Sequence, residues 1–212
     1  MKANQQAIAI IGAGGHARVV ADILTRVQPT RRQVFFANTA HDSWNPSPLF
    51  PDDPTVMESV PFNIKGWHVA IGDPTIRKEK IQFLLHKGWT VYHAIHDRST
   101  LASTSVIGDG TAVMAGAVLN PGAQTGTGCI VNTQAVLEHD SRIGHYVNVG
   151  PGAVLAGSAE VGSGSEVGAG AIILPGIRVG THCVVGAGAV VTRDLKDGSV
   201  AVGVPARPIR TI

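Results

Sequence analysis

At 212 residues with a formal net charge of +2, the chain is long enough for one domain or two small ones, and its cationic residues are too few and scattered for a nucleic-acid surface. Two cysteines, Cys129 and Cys183, exclude a disulfide framework, and with neither a charged-then-apolar leader nor a long apolar run (Ile8 to Gly12 is far too short for a bilayer) the expectation is a cytoplasmic protein without membrane insertion. Aromatic residues make up 5% while glycines number 26, a balance that makes a repeat architecture the first thing to test.

From the N-terminus the sequence predicts alternating strands and helices. Ala7 to Ile11 is a short apolar run of strand type, followed at once by Gly12-Ala13-Gly14-Gly15-His16. Ala17 to Arg26 sets Val19, Val20, Ile23 and Leu24 at helical spacing. Val34 to Ala37 reads as a second strand, whereas Asn38 to Asn63, rich in Pro, Asp and Ser, reads mostly as loop. Trp67 to Ile71 is a further strand, Pro74 opens a helix running to about His86, and Val91 to Ala94 closes the sheet. Residues 1–94 are therefore expected to form a small Rossmann-like βαβ domain, with its helix N-termini gathered at one edge.

Over residues 95–212 the period changes to six. Steps of six from Ile95 meet Leu101, Ile107, Val113, Leu119, Thr125, Val131, Leu137, Ile143, Val149, Leu155, Val161, Val167, Ile173, Val179, Val185 and Val191, and only Thr125 is not aliphatic. Four places after these positions the residue is small or modest, as at Ala117, Ala123, Cys129, Ala135, Ser141 and Ala153. A helix would repeat every 3.6 residues and a flat strand every 2, so neither produces this register. A triangular coil does. Each six-residue side is a short strand with one aliphatic residue pointing to the axis, then a corner where a small residue fits and glycine permits a tight turn. Three sides close a coil, and coils stack about 4.8 Å apart by parallel pairing. The expected domain is an all-β left-handed parallel β-helix of about five coils, straight and without a large inserted loop.

The glycine turn has a generic reading too. Gly12-Ala13-Gly14-Gly15-His16-Ala17 satisfies G-x-G-x-x-G/A, a dinucleotide signature. Against NAD stand the short domain and the end of the second strand, where Asn38 and Thr39 replace the expected acid. The physics of the turn still holds, since glycines admit close approach and the N–H groups opening a helix favour an anion.

Four segments carry a more specific resemblance: Ile11-Gly12-Ala13-Gly14-Gly15-His16; Ile71-Gly72-Asp73 with Arg77; Val131-Asn132-Thr133 running to Glu138-His139-Asp140; and Val202-Gly203-Val204-Pro205-Ala206-Arg207. In their order and spacing the chain resembles the bacterial hexapeptide-repeat sugar acetyltransferases, in the branch of sialic-acid O-acetyltransferases and nucleotide-activated amino-sugar N-acetyltransferases. The resemblance implies acetyl-CoA as co-substrate, no metal, and a homotrimer with its active site between subunits. It implies transfer to the 4-amino group of a UDP-activated amino-deoxy-hexose in glycan biosynthesis, with O-acetylation of sialic acid or another sugar hydroxyl as the alternative. By the same resemblance Gly12, Gly14, Gly15 and His16 hold the nucleotide-sugar, with Asn132 and Thr133 also meeting the substrate. Relatives carry an acidic pair after the second strand; here Asn38 and Thr39 stand there, and Asp52 and Asp53 lie further along.

His139 falls two places after Leu137, on a turn, so its imidazole is expected to face outward. Acyl transfer from a thioester to an amine needs a base near neutral pKa, which a histidine supplies. The resemblance makes Asp140 the group that orients it, with Glu138 a second candidate, and assigns the acetyl-CoA contacts to Asn148, Gly157, Ala169 and Ala187. The Gly157 N–H is the expected oxyanion donor. Asn148 stands where relatives often have a second histidine, and an amide there donates a hydrogen bond without acting as acid or base. His145 reads as a surface residue, and Arg207 and Arg210 are equally a solvated tail or phosphate contacts. A covalent acyl-cysteine is disfavoured because Cys129 and Cys183 occupy the small buried slot. Two other classes stay open: a metal hydratase using His139, His145 and His182, and a non-catalytic nucleotide-sugar-binding trimeric scaffold.

Overall fold

The computed structural model describes residues 6–39, 44 and 46–212, and the chain divides into two compact units, Met1–Asp97 and Arg98–Ile212. The first is α/β. Strand β1 (Gln6–Ile11) leads into helix α1 (Gly15–Val27), then β2 (Arg32–Phe36), β3 (Leu49–Phe50), α2 (Pro54–Ser59), β4 (Asn63–Val69) and α3 (Pro74–His86). The strands run parallel in the order β3-β2-β1-β4. The apolar run Ala7–Ile11 is fully buried at the centre of the sheet, as a strand covered on both faces must be. Helix α1 buries Ala17, Val20, Ile23 and Leu24, while Val19, expected on that face, is 45% exposed. The small Ala17 lies one turn before Val20 and takes its place in the buried stripe.

Two expectations for this unit change. The stretch after β2 is not mostly loop, for it contains β3 and α2. The Asp53 carboxylate accepts from the N–H groups of Thr55 and Val56, and Pro54 occupies the first turn, which together start a helix in a segment of weak periodicity. Nor does a full strand form over residues 91–94. Val91 makes a single parallel bridge to Trp67, while Tyr92 lies over Gly66, where an added Cβ would meet its ring at 1.9 Å.

In the second unit the six-residue period becomes a left-handed β-helix of two-residue strands. From Thr100 to Ile173 each strand pairs in parallel with the strand 18 residues on, as Ile130 does with Asn148 and Val136 with Val154. Three six-residue sides make that step. The inward residues Val113, Leu119, Thr125, Val131, Leu137, Ile143, Val149 and Leu155 are 0–6% exposed. Thr125 is tolerated because its hydroxyl accepts from the Gly108 N–H. Leu101, expected in the same series, is 36% exposed, since it lies in the first coil and has coils on one side only within this unit. The corner slots Ala117, Ala123, Cys129, Ala135, Ser141 and Ala153 are fully buried.

The three faces differ in what they turn outward. On the first, Asn148 and Glu166 follow Ile130. The second presents Val118, Val136, Val154, Ile172 and Val190 in one ladder. The third presents Gln124, Arg142, Glu160 and Arg178, where Arg178 pairs with Glu160 at 3.2 Å. Ser199–Val202 and Arg207–Thr211 pair antiparallel and end the coil stack. Among the described residues no helix is long and apolar enough to cross a membrane.

Candidate active site

The corner that follows the aliphatic face stacks Pro121-Gly122, His139-Asp140, Gly157-Ser158 and Pro175-Gly176 in successive coils. His139 and Asp140 lie on the surface, with side chains 64% and 67% exposed, and their Nδ1 and Oδ2 atoms are 3.0 Å apart. When Nδ1–H donates to this carboxylate, the Nε2 lone pair is left free, which is the tautomer a general base needs. Glu138, the second candidate for orienting the ring, instead accepts from the His139 backbone N–H at 3.4 Å.

Glycines above and below give the pair its room. A Cβ on Gly157 would lie 2.5 Å from His139 Nε2, and one on Gly122 would lie 2.6 Å from Asp140 Oδ1. Asp140 adopts a left-handed φ of 58°, which short polar side chains tolerate best after glycine. The N–H of Gly157 has no hydrogen-bond partner among the described residues. The same corner position holds proline at 121 and 175, so the coil itself makes no use of an N–H there. His139 Nε2 thus lies against Gly157, a residue whose backbone donor the coil does not use.

Asn132 and Thr133 lie at the preceding corner of the same coil, in a column with Pro151, Ala169 and Ala187. Asn132 Oδ1 accepts from the Thr133 N–H at 2.8 Å, so part of its side chain shapes the turn. An added Cβ on Gly152, Gly170 or Gly188 would meet nothing within 4 Å. From Pro151 to Gly188 this corner carries only small side chains and proline, so its backbone is open to approach. Asn148 lies elsewhere, on the strand of the first face. Within one chain the second face separates the His139 column from the Ala169 column, so the expected residues form two clusters and not one.

His145 and His182 occupy the third corner. His145 Nδ1 accepts from the Thr127 N–H at 3.1 Å, a contact between coils. Cys183 is fully buried, and that burial raises its thiol above the ordinary value, which makes a thiolate nucleophile harder to reach.

In the α/β unit, a pocket of about 330 Å³ at the C-terminal ends of the strands is lined by Gly12–His16, Phe36–Thr39, Asp52 and Ala70–Gly72. Its glycines do different jobs. Gly12 has φ +118°, and an added Cβ would lie 2.7 Å from the Ala70 carbonyl oxygen, so the fold itself demands glycine. Gly14 and Gly15 would meet nothing within 4 Å. Helix α1 opens with no side-chain cap and no acid in its first turn, so its N–H groups face the pocket as anion donors. Burial, reinforced by His68 and Arg77, pushes the His16 imidazole down to about 3, so it is neutral at physiological pH. Its Nε2 is shielded and has no partner among the described residues. Arg77 is 1% exposed and donates to the carbonyls of Ile71 and Gly72, while Asp73 caps α3. The motif Ile71-Gly72-Asp73 with Arg77 therefore builds one wall of the pocket.

Sequence reasoning set Asp52 aside, yet it lines this pocket. The signal was the second parallel pairing, Phe35 with Leu49 and Phe36 with Phe50, which carries residue 52 to the same sheet edge as Asn38. Two-residue strands leave little periodicity to read.

A family model described as the PglD N-terminal domain matches residues 7–84, and one for the bacterial transferase hexapeptide, six repeats, matches residues 158–193. No curated protein matches the chain. Among solved structures, the acetyltransferase domain of PglB from Neisseria gonorrhoeae in complex with acetyl coenzyme A is 34% identical, with a TM-score of 0.89, over 97% of this chain and 100% of that one. PerB from Caulobacter crescentus, in complex with CoA and GDP-perosamine, is 36% identical with a TM-score of 0.86, over 96% of this chain and 97% of that one. WeeI from Acinetobacter baumannii, 24% identical with a TM-score of 0.87, shares the fold. With identity above 30% along nearly the whole of two of these chains, and both family segments in the same order, the protein belongs to the bacterial hexapeptide-repeat sugar acetyltransferases.

Proposed function

We propose that the protein transfers the acetyl group of acetyl-CoA to the 4-amino group of a nucleotide-activated amino-deoxy-hexose. The observation that carries this reading is His139, oriented by Asp140 at 3.0 Å, with Nε2 beside Gly157, whose N–H is unused. His139 Nε2 takes a proton from the attacking amine, and Asp140 stabilises the imidazolium. The Gly157 N–H donates to the oxygen on which charge develops. A carbon–nitrogen bond forms, the carbon–sulfur bond breaks, and the proton on Nε2 passes to the leaving thiolate. Bound acetyl-CoA supplies the acyl group, and no covalent enzyme intermediate is required.

The α/β unit serves as the nucleotide-sugar domain in this reading. The N–H groups at Gly14, Gly15 and His16 meet the diphosphate, and His16 Nε2 meets a neutral group. UDP is the proposed nucleotide, and GDP is the second candidate because PerB holds GDP-perosamine. The aliphatic ladder from Val118 to Val190 supports self-association. Packed against another copy in a trimer, it would bring the His139 corner of one subunit beside the Ala169 corner of the next.

Thiol release from acetyl-CoA tests the proposal against UDP- and GDP-4-amino sugars and free sialic acid. Release with one of the nucleotide-amino sugars is expected, and His139→Ala should lower it by roughly 10²–10⁴-fold. Release with sialic acid alone would replace N- by O-acetylation, and near wild-type turnover in His139→Ala would remove the base.

A further inference from the structure

The wall of the α/β pocket opposite the glycine turn carries a carboxylate in an unusual setting. Asp52 follows β3 and lies beside Asn38, which follows β2; its backbone N–H donates to Asn38 Oδ1 at 3.2 Å. Lys80 holds one carboxylate oxygen, Oδ2, at 2.6 Å. The other oxygen, Oδ1, is buried and has no hydrogen-bond partner among the described residues. The side chain is 14% exposed, and the residue lines the pocket that Gly14 and Gly15 also line. A buried acceptor without a donor is costly, so such an oxygen points to a ligand that supplies one.

The geometry points to Asp52 as the ribose-reading acid of this pocket, with Oδ1 accepting a hydrogen bond from a ribose hydroxyl of the bound nucleotide. This rests on the reading that the pocket holds a nucleotide. In open parallel sheets the phosphates sit at the helix that follows the first strand, and an acid at a neighbouring strand end takes the ribose. Here Asn38 and Thr39 end that neighbouring strand, and neither is an acid. The parallel pairing of β3 with β2 brings an acid to the same edge from one strand further out. A carboxylate repels the diphosphate and accepts from a hydroxyl, so the two ends of the pocket suit the two parts of a nucleotide. The charge pair with Lys80 leaves a single oxygen for the ligand and restrains its position.

Calorimetric titration of the full chain with UDP and GDP, each compared with its 2′,3′-dideoxy counterpart, tests this directly. The wild type should bind the ribonucleotide about tenfold or more tightly than the dideoxy form, the loss expected for one charge-assisted hydrogen bond. In Asp52→Ala that ratio should fall to near one, and in Asp52→Asn, which keeps a neutral acceptor, it should lie between. A structural role alone would weaken both ligands equally and leave the ratio at its wild-type value, and this outcome would overturn the inference. So would a folded wild type that binds both forms alike. Failure of the wild type to bind any nucleotide would instead defeat the nucleotide-sugar reading of the whole unit.

Discussion

Gly157 is the residue on which the proposed chemistry and the coil geometry meet. Its corner position is proline in two other coils, so neither a side chain nor a missing N–H disturbs the fold there. What glycine provides is space, since an added Cβ would sit 2.5 Å from His139 Nε2. The group in the way is the far end of an exposed side chain, which can swing aside. Gly157→Ala should therefore keep its unfolding midpoint close to that of the wild type. Its turnover should drop by roughly 10²-fold, because the base leaves its reactive position. Steady-state kinetics beside a thermal melt checks this, and a variant that loses both together would show that Gly157 acts through stability.

At the scale of elements, the start of α1 separates glycines that shape the chain from glycines that face open space. Gly12→Ala meets the Ala70 carbonyl and adopts a φ of +118°, so the α/β unit should lose stability by roughly 1–3 kcal/mol or more. Gly15→Ala meets nothing and adds a better helix former, so stability should hold or rise by about 0.5–1 kcal/mol. The new methyl would nonetheless stand where a diphosphate approaches the backbone, and affinity for nucleoside diphosphates should fall by about tenfold. Denaturant unfolding and calorimetric titration of both variants measure the two effects separately. Unchanged nucleotide affinity in Gly15→Ala would move the phosphate away from this turn.

For the whole molecule, the proposed trimer rests on the contrast between faces. The third face turns Gln124, Arg142, Glu160 and Arg178 outward and pairs Arg178 with Glu160, whereas the second carries a continuous aliphatic ladder. Ile172, the fourth of its five residues and 38% exposed, is the position at which a charge would do most harm. Ile172→Lys should shift light-scattering mass from trimer toward monomer and abolish acetyl transfer, while the coil stays folded because the change lies outside its core. A monomeric Ile172→Lys with full activity would place the reaction within one subunit.

The β-helix was legible in the chain because its period is local. Each six-residue side repeats one backbone conformation, so the inward aliphatic series and the small corner slots could be read without knowing any long-range contact. Even the 18-residue step from His139 to Gly157 follows from three such sides. The helices α1 and α3 were legible for similar reasons, through a glycine turn and through Pro74 at a first turn. Asp52 was not legible, nor was the strand that carries it. Its approach to Asn38, 14 residues back, depends on β3 pairing with β2 over two residues, a choice made by burial against the rest of the sheet. The sequence by itself thus determined the repeat, its inward residues and the outward histidine, because spacing alone specifies them. Only the tertiary structure decided which acid faces the pocket and which glycines touch the imidazole–carboxylate pair, because those depend on how separate strands and coils come into register.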